Sequence, residues 1–252
     1  MTTERVLVII PTYNEADNIA PICARLSLAV PEADILIVDD NSPDGTGQIA
    51  NRLADGDRRV HVMHRRVKNG MGAAYLQGFR WGLRQGYDVL VEMDADGQHR
   101  PEQLPDLLAG LARADVVKGS RYVSGGQVIN WPKWREWLSR GGSLWIRLML
   151  GLPVRDITGG FNVFRAPVMA AMIDDIASAG FNIQVDLTYH AIANGFTVVE
   201  VPITFVERLQ GASKMSGRIV VEALLKTTIW GLRRRVSRLA AWLKALAGRR
   251  AG

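Results

Sequence analysis

With one cysteine, Cys23, in 252 residues, the chain has no internal disulfide and fits a reducing compartment. Cys23 falls in a predicted helix and is expected to be a small buried apolar residue. A signal peptide is not expected. The opening MTTERVLVIIPTYNE has a short apolar run, but no basic segment precedes it and no small-residue cleavage site follows, so it reads as a first strand. Long apolar runs are lacking as well. Arg140 and Arg147 interrupt 137–154, and Glu222 and Lys226 interrupt 219–232, which predicts a soluble or peripheral chain. Neither G-x-G-x-x-G nor G-x-x-x-x-G-K-[ST] occurs at a strand-to-helix junction. Gly70-Met71-Gly72, after Lys68, fits neither pattern, which argues against dinucleotide-dependent dehydrogenases and P-loop NTPases. Repeats, low-complexity stretches and linkers are absent, so one domain over 1–217 with an extension over 218–252 is the simplest division.

What is present is the composition of a folded protein, 48% hydrophobic and 22% charged. Charge is unevenly placed. Of 31 basic and 25 acidic residues, nine basic and one acidic lie between Arg218 and Gly252, leaving the rest near neutrality. Apolar residues Leu225, Ile229, Leu232, Val236, Leu239, Leu243 and Leu246 recur four and three apart in that tail, with Trp230 and Trp242 beside them. This predicts a basic amphipathic helix that docks on an anionic membrane or a partner helix. Nucleic acid is not expected, because no base-reading motif accompanies the charge.

Upstream, predicted strands at Arg5–Ile10, Asp34–Val38, Val60–His64, Asp88–Met93 and Asp115–Lys118 alternate with predicted helices at Glu15–Val30, Thr46–Ala54, Met71–Gln85 and Pro101–Leu111. This rhythm implies an α/β fold with a mostly parallel sheet, whose ligands bind beyond the carboxyl ends of the strands. After Tyr122 the reading is a helix from about Trp134 to Leu150, a turn at Asp156–Gly160, helices near Ala166–Ile173 and Ile183–Asn194, and one strand at Thr197–Phe205.

The polar residues at the strand ends therefore carry the chemistry. Pro11-Thr12-Tyr13-Asn14-Glu15 suits turn formation, with Asn14 capping the next helix, but it also offers Tyr13 for stacking on a base and Glu15 for a ribose or base. Val38-Asp39-Asp40-Asn41-Ser42-Pro43-Asp44-Gly45-Thr46 places two adjacent carboxylates where Asp40 can accept from a nucleobase. In Glu92-Met93-Asp94-Ala95-Asp96-Gly97-Gln98-His99, Asp94 and Asp96 would face the same way on a continuing strand. With Gln98 they form a hard oxygen set suited to Mg²⁺ or Mn²⁺ on a diphosphate, while His99 is expected to face solvent. Cations without an obvious acid partner complete the set: Arg121, Arg135 with Ser139 four residues on, and Arg208 and Lys214 flanking a loop.

In order and spacing, PTYNE, VDDNSPDGT, EMDADGQH, KGSRYVSGG, DITGGFNVF and RLQGASKMS resemble the polyprenyl-phosphate (dolichol-phosphate) mannose synthases of glycosyltransferase family 2, over about residues 4–217. The resemblance implies a GT-A (Rossmann-like) catalytic domain that moves mannose from GDP-mannose to a polyprenyl monophosphate with inversion. Pro11, Tyr13, Glu15, Val38 and Asp40 would hold the guanosine. Asp94, Asp96 and Gln98 would hold the metal, with Ala95 and Val117 lining the nucleotide-sugar pocket. Arg121, Arg135, Ser139, Arg208 and Lys214 would surround the acceptor phosphate and the diphosphate, with Asp96 and Arg121 central to catalysis. Two departures stand out: Asn162 where relatives usually have arginine, and Gly97-Gln98 in place of a common Leu-Ser. The C-terminal membrane spans of some relatives are absent, which implies a peripheral enzyme on the cytoplasmic face of a membrane, with a separate membrane-anchoring protein as a candidate partner. A UDP-sugar donor is the rival reading, since such transferases share most of these motifs.

Overall fold

The computed structural model describes residues 4–177, 180, 182–207, 227–229 and 231. Nine strands are found among them: β1 (Val6–Thr12), β2 (Asp34–Asp39), β3 (Val60–His64), β4 (Val89–Glu92), β5 (Val116–Ser120), β6 (Gln127–Ile129), β7 (Asn162–Arg165), β8 (Val198–Pro202) and β9 (Thr204–Val206). The helices are α1 (Ile19–Ala29), α2 (Thr46–Gly56), α3 (Met71–Arg84), α4 (Leu104–Gly110), α5 (Lys133–Leu150), α6 (Ala166–Met172) and α7 (Ile183–Ala193).

Seven strands form one sheet in the order β3-β2-β1-β4-β7-β5-β8, parallel except for β7. The inner strands are apolar throughout because helices cover both faces; Leu7 through Ile10 are fully buried. On one face α1 buries Ile19, Ile22, Cys23 and Leu26, a spacing of three, four and seven that makes one helix stripe. Burial pushes the Cys23 thiol up to about 12, which leaves it an inert apolar residue. On the other face α3 packs Tyr75 and Phe79 onto β1 and β2.

Three elements differ from the expectation. β7, which sequence pattern alone missed, is a four-residue strand inserted antiparallel between β4 and β5. Because it runs the other way, its first residue pairs with the end of β4, Glu92 against Asn162, and the turn before it reaches the ligand-binding edge. The strand expected over Thr197–Phe205 is two strands. β8 pairs with β5, and after Ile203 the chain crosses to pair β9 with β6 in a separate two-stranded sheet. Finally, α1 begins at Ile19 rather than Glu15. Asn14 does not cap it; its φ is +58°, and its N–H donates to Ser42 Oγ. The expected tail helix lies outside the described residues apart from 227–229 and Gly231. There Thr228 Oγ1 accepts a hydrogen bond from the Trp145 indole of α5, and Gly231 lies against Met149.

Candidate active site

The order β2-β1-β4 sets the first three motifs side by side at one edge of the sheet, and β7 brings the DITGGF turn to the same edge. At the β1 and β2 ends, much of the chemistry maintains the loops. Asp39, buried, accepts from Ser42 Oγ at 2.5 Å and Thr12 Oγ1 at 3.2 Å. Asp44 accepts from Thr46 Oγ1 at 2.6 Å and from the Ala16 N–H at 3.1 Å. Asp40 is buried beside Arg65, which donates to it; burial raises its pKa while Arg65 and Lys68 pull the other way. Tyr13 is half-buried with the Lys68 ammonium 3.4 Å above its ring centroid, so one ring face is already covered by a cation. Glu15 is buried and accepts from Asn18 at 2.7 Å. The Val38 side chain is fully buried in the core under α3, so only its main chain belongs to this edge; Val117 is likewise fully buried in β5, and Pro11 is half-buried.

Past β4 the chain leaves the strand at Glu92, so Asp94 and Asp96 sit in a turn and not on a continuing strand. Gly97, at φ +76°, takes the left-handed conformation that closes this turn. Each aspartate is held by a defined donor. The Tyr75 hydroxyl donates to Asp94 Oδ1 at 2.8 Å, and the Gln98 N–H donates to Asp96 Oδ1 at 3.0 Å. Ala95 and Gln98 are buried. Glu92 is fully buried, accepting from Asn162 Nδ2 at 2.5 Å and Gln184 Nε2 at 3.1 Å. Burial raises its pKa to about 8. Asn162 also accepts from the buried Lys118 ammonium at 2.8 Å, so its amide joins β4, β7 and β5. Gly160 approaches this layer closely, since a Cβ there would lie 3.3 Å from Gln184 Nε2 and 3.5 Å from Asp94 Oδ2.

His99 does not face solvent, contrary to the loop reading. It is 2% exposed, stacked on Phe161 at 5.2 Å and edge-on to Phe205 at 5.3 Å. Burial pushes its pKa down to about 4, and the neutral ring accepts the Asp94 N–H at Nδ1.

The two described cations of this set, Arg121 and Arg135, are paired, which corrects a second expectation. Arg121 is gripped by Asp156, fully buried, through Nε and Nη2 at 2.7 Å each and through its own N–H at 2.9 Å. Burial opposes both charges, yet their mutual field and hydrogen bonds prevail, raising the Arg121 pKa and lowering that of Asp156. Arg135 pairs with Glu207 at 2.6 Å. Ser139 accepts from the Tyr122 hydroxyl at 2.7 Å. Trp131 and Phe205, which sequence reading passed over, wall this region. The Arg121 guanidinium lies 5.6 Å from the Trp131 ring and 5.1 Å from Phe205, and that of Arg135 lies 4.3 Å from Trp131. Arg208 and Lys214 lie outside the described residues.

Among the described residues no three His, Cys, Asp or Glu side chains form a closed metal cage. Two carboxylates and an amide in one turn suit instead a hard divalent ion that takes further oxygens from a substrate diphosphate, so the donor set fits Mg²⁺ or Mn²⁺.

The chain is 55% identical over 240 residues to an undecaprenyl-phosphate mannosyltransferase of Micrococcus luteus, covering 95% of this chain and 99% of that one. It is 54% identical over 239 residues to a polyprenol monophosphomannose synthase of Mycolicibacterium smegmatis, covering 94% and 90%. The fold matches glucosyl-3-phosphoglycerate synthase of Mycobacterium tuberculosis with Mn²⁺, UDP and glucosyl-3-phosphoglycerate (TM-score 0.64, 18% identity, 92% and 80% covered). It also matches a mannosyltransferase of Pyrobaculum calidifontis with GDP-Man and Mn²⁺ (TM-score 0.55, 17% identity, 98% and 81% covered). The GT-A architecture is thus the one expected. The family model for glycosyl transferase family 2 matches residues 7–172, and the chain belongs to that family.

Proposed function

We propose that this enzyme transfers mannose from GDP-mannose to a polyprenyl monophosphate, inverting the anomeric centre, at a membrane surface. The observation that carries the reading is one sheet edge on which Asp40 and Tyr13, the Asp94–Asp96 turn, and the Arg121–Arg135 cluster follow one another. Two relatives above 50% identity, named undecaprenyl-phosphate mannosyltransferase and polyprenol monophosphomannose synthase, support the reading.

Asp40, Tyr13, Glu15, Pro11 and the Val38 main chain would receive the guanosine, with Asp40 accepting from the base. Asp94, Asp96 and Gln98 would hold a divalent cation, which would supply positive charge opposite the departing diphosphate. Ala95 would close the floor of the sugar pocket, with Val117 packed in the core behind it. A phosphate monoester is largely dianionic at neutral pH, so its oxygen attacks without a general base. The remaining work is alignment and charge. Arg121 is oriented by Asp156 and Arg135 by Glu207, and both present donors to anionic oxygens. Ser139, Arg208 and Lys214 complete that ring.

The acceptor is a lipid, and α5 offers a surface for it. Trp134, Trp137, Leu138, Leu144, Trp145 and Leu148 are exposed, Trp137 to 76%. They share one helix face, opposite the face of Arg135, Ser139, Ser143, Ile146 and Leu150. Lys133, Arg140 and Arg147, seven apart, edge it with positive charge. Such a face suits a bilayer whose surface is anionic, each cation near it contributing about 1 kcal/mol. The basic tail would add to this docking, and a membrane-anchoring protein is the other occupant.

Thermal shifts with Mn²⁺ test the donor. GDP should stabilise the protein more than UDP at equal concentration. The reverse order would transfer the reading to a UDP-sugar enzyme.

A further inference from the structure

We propose that the indole N–H of Trp131 is a hydrogen-bond donor to a phosphate oxygen bound between Arg121 and Arg135. The inference rests on the assignment of those arginines to substrate phosphate. Trp131 lies in the loop between β6 and α5, and its ring is fixed from several sides. Arg135 stacks at 4.3 Å, Arg121 lies at 5.6 Å, and Phe205 meets it edge-on at 5.5 Å. Its Nε1 is buried and has no hydrogen-bond partner among the described residues. An indole nitrogen can only donate, and a buried donor left unmatched is costly, so such positions call for a ligand.

The surroundings define the chemistry of that ligand. Two guanidinium groups beside the ring repel a cation and favour an acceptor with negative charge. Asp156 and Glu207 hold those guanidinium groups from the protein side, so the arginines are oriented before any substrate arrives. A phosphate has several non-bridging oxygens and can accept from two arginines and an indole at once. The edge of Phe205 also links this wall to His99, and through the Asp94 N–H to the metal-binding turn.

The test is Trp131→Phe, which keeps an aromatic ring against both arginines and removes the N–H. With a short-chain polyprenyl phosphate as acceptor, KM should rise roughly 10- to 100-fold, the loss expected for a hydrogen bond to a charged group. Thermal stability without ligand should not fall, because no protein partner is lost. A rise confined to the KM for GDP-mannose would assign the bound oxygen to the donor diphosphate. Unchanged values for both substrates would overturn the proposal. A second measurement does not depend on turnover. In ¹⁵N-labelled protein the Trp131 indole signal, identified as the one of seven missing from Trp131→Phe, should move on titration with farnesyl phosphate and stay in place with farnesol. A titration with farnesyl phosphate that leaves that signal in place overturns the proposal. Movement without mannosyl transfer by the wild type would leave the anion site standing and refute the functional reading instead.

Discussion

Replacing Asp156 with asparagine tests the buried pairing of Arg121 with Asp156. The substitution keeps shape but removes the charge facing Arg121, whose side chain is 7% exposed and which binds Asp156 through two bonds of 2.7 Å. Arginine cannot neutralise itself by losing a proton, so a buried, uncompensated cation remains. That costs roughly 3–5 kcal/mol. For a chain of this size each kcal/mol lowers Tm by roughly 2–4 °C, so a fall of roughly 6–20 °C is expected at pH 7. Arg121→Met should behave differently. It leaves a buried Asp156 whose folded pKa now lies above its unfolded value. Between those two values the folded state binds the extra proton, so stability recovers as pH falls from 7 to 5. Asp156→Asn has no such escape and should show no recovery. The double variant Arg121→Met, Asp156→Leu should be more stable than Asp156→Asn alone, because no charge is left unpaired. Thermal unfolding followed by circular dichroism at both pH values measures all three. An Asp156→Asn protein within 1 °C of wild type, or equal pH responses of the two single variants, would refute the reasoning.

Other expectations concern the metal turn, His99 and the membrane face. Asp96→Ala should reduce transfer by at least roughly 100-fold with Tm preserved, since a charge-stabilising contact rather than packing is lost; a variant with wild-type turnover in EDTA would remove the metal role. His99 has a folded pKa of about 4, below its unfolded value, so stability is present at neutral pH and is lost as pH falls from about 6.5 towards 4, by up to roughly 3 kcal/mol. Chemical denaturation of His99→Gln should show a shallower loss over that window, and an identical slope would contradict the assignment. Trp134→Ser with Trp137→Ser should weaken flotation with anionic liposomes at least roughly tenfold without changing the fold. Equal recovery of variant and wild type would give that face another partner.

The strands that carry the first three motifs were legible because each is a local apolar run closed by turn residues, and their parallel order follows from the intervening helices. β7 was not. Four residues after a glycine turn have no period to read, and their place between β4 and β5 depends on partners about 45 and 70 residues away. The same limit hid the pairing of Arg121 with Asp156, 35 residues on, and of Arg135 with Glu207, 72 residues on. Both arginines looked like free cations and are oriented ones. His99 failed for another reason. A histidine in a loop is expected in water, but Phe161 and Phe205 come from distant segments to cover it. Residue types at the strand ends announced a phosphate-sugar chemistry. The division of labour within VDDNSPDGT, with Asp39 and Asp44 holding loops and Asp40 beside Arg65, needed coordinates.

Mannosyl transfer itself is measured by incubating the protein with radiolabelled GDP-mannose, Mg²⁺ and a short polyprenyl phosphate, then counting the organic phase. Label should enter the lipid only with the acceptor present and be lost on adding EDTA. The product should be a β-mannosyl phosphate. Label that stays in the aqueous phase with GDP-mannose but enters the lipid with a UDP-sugar would contradict the proposed transfer.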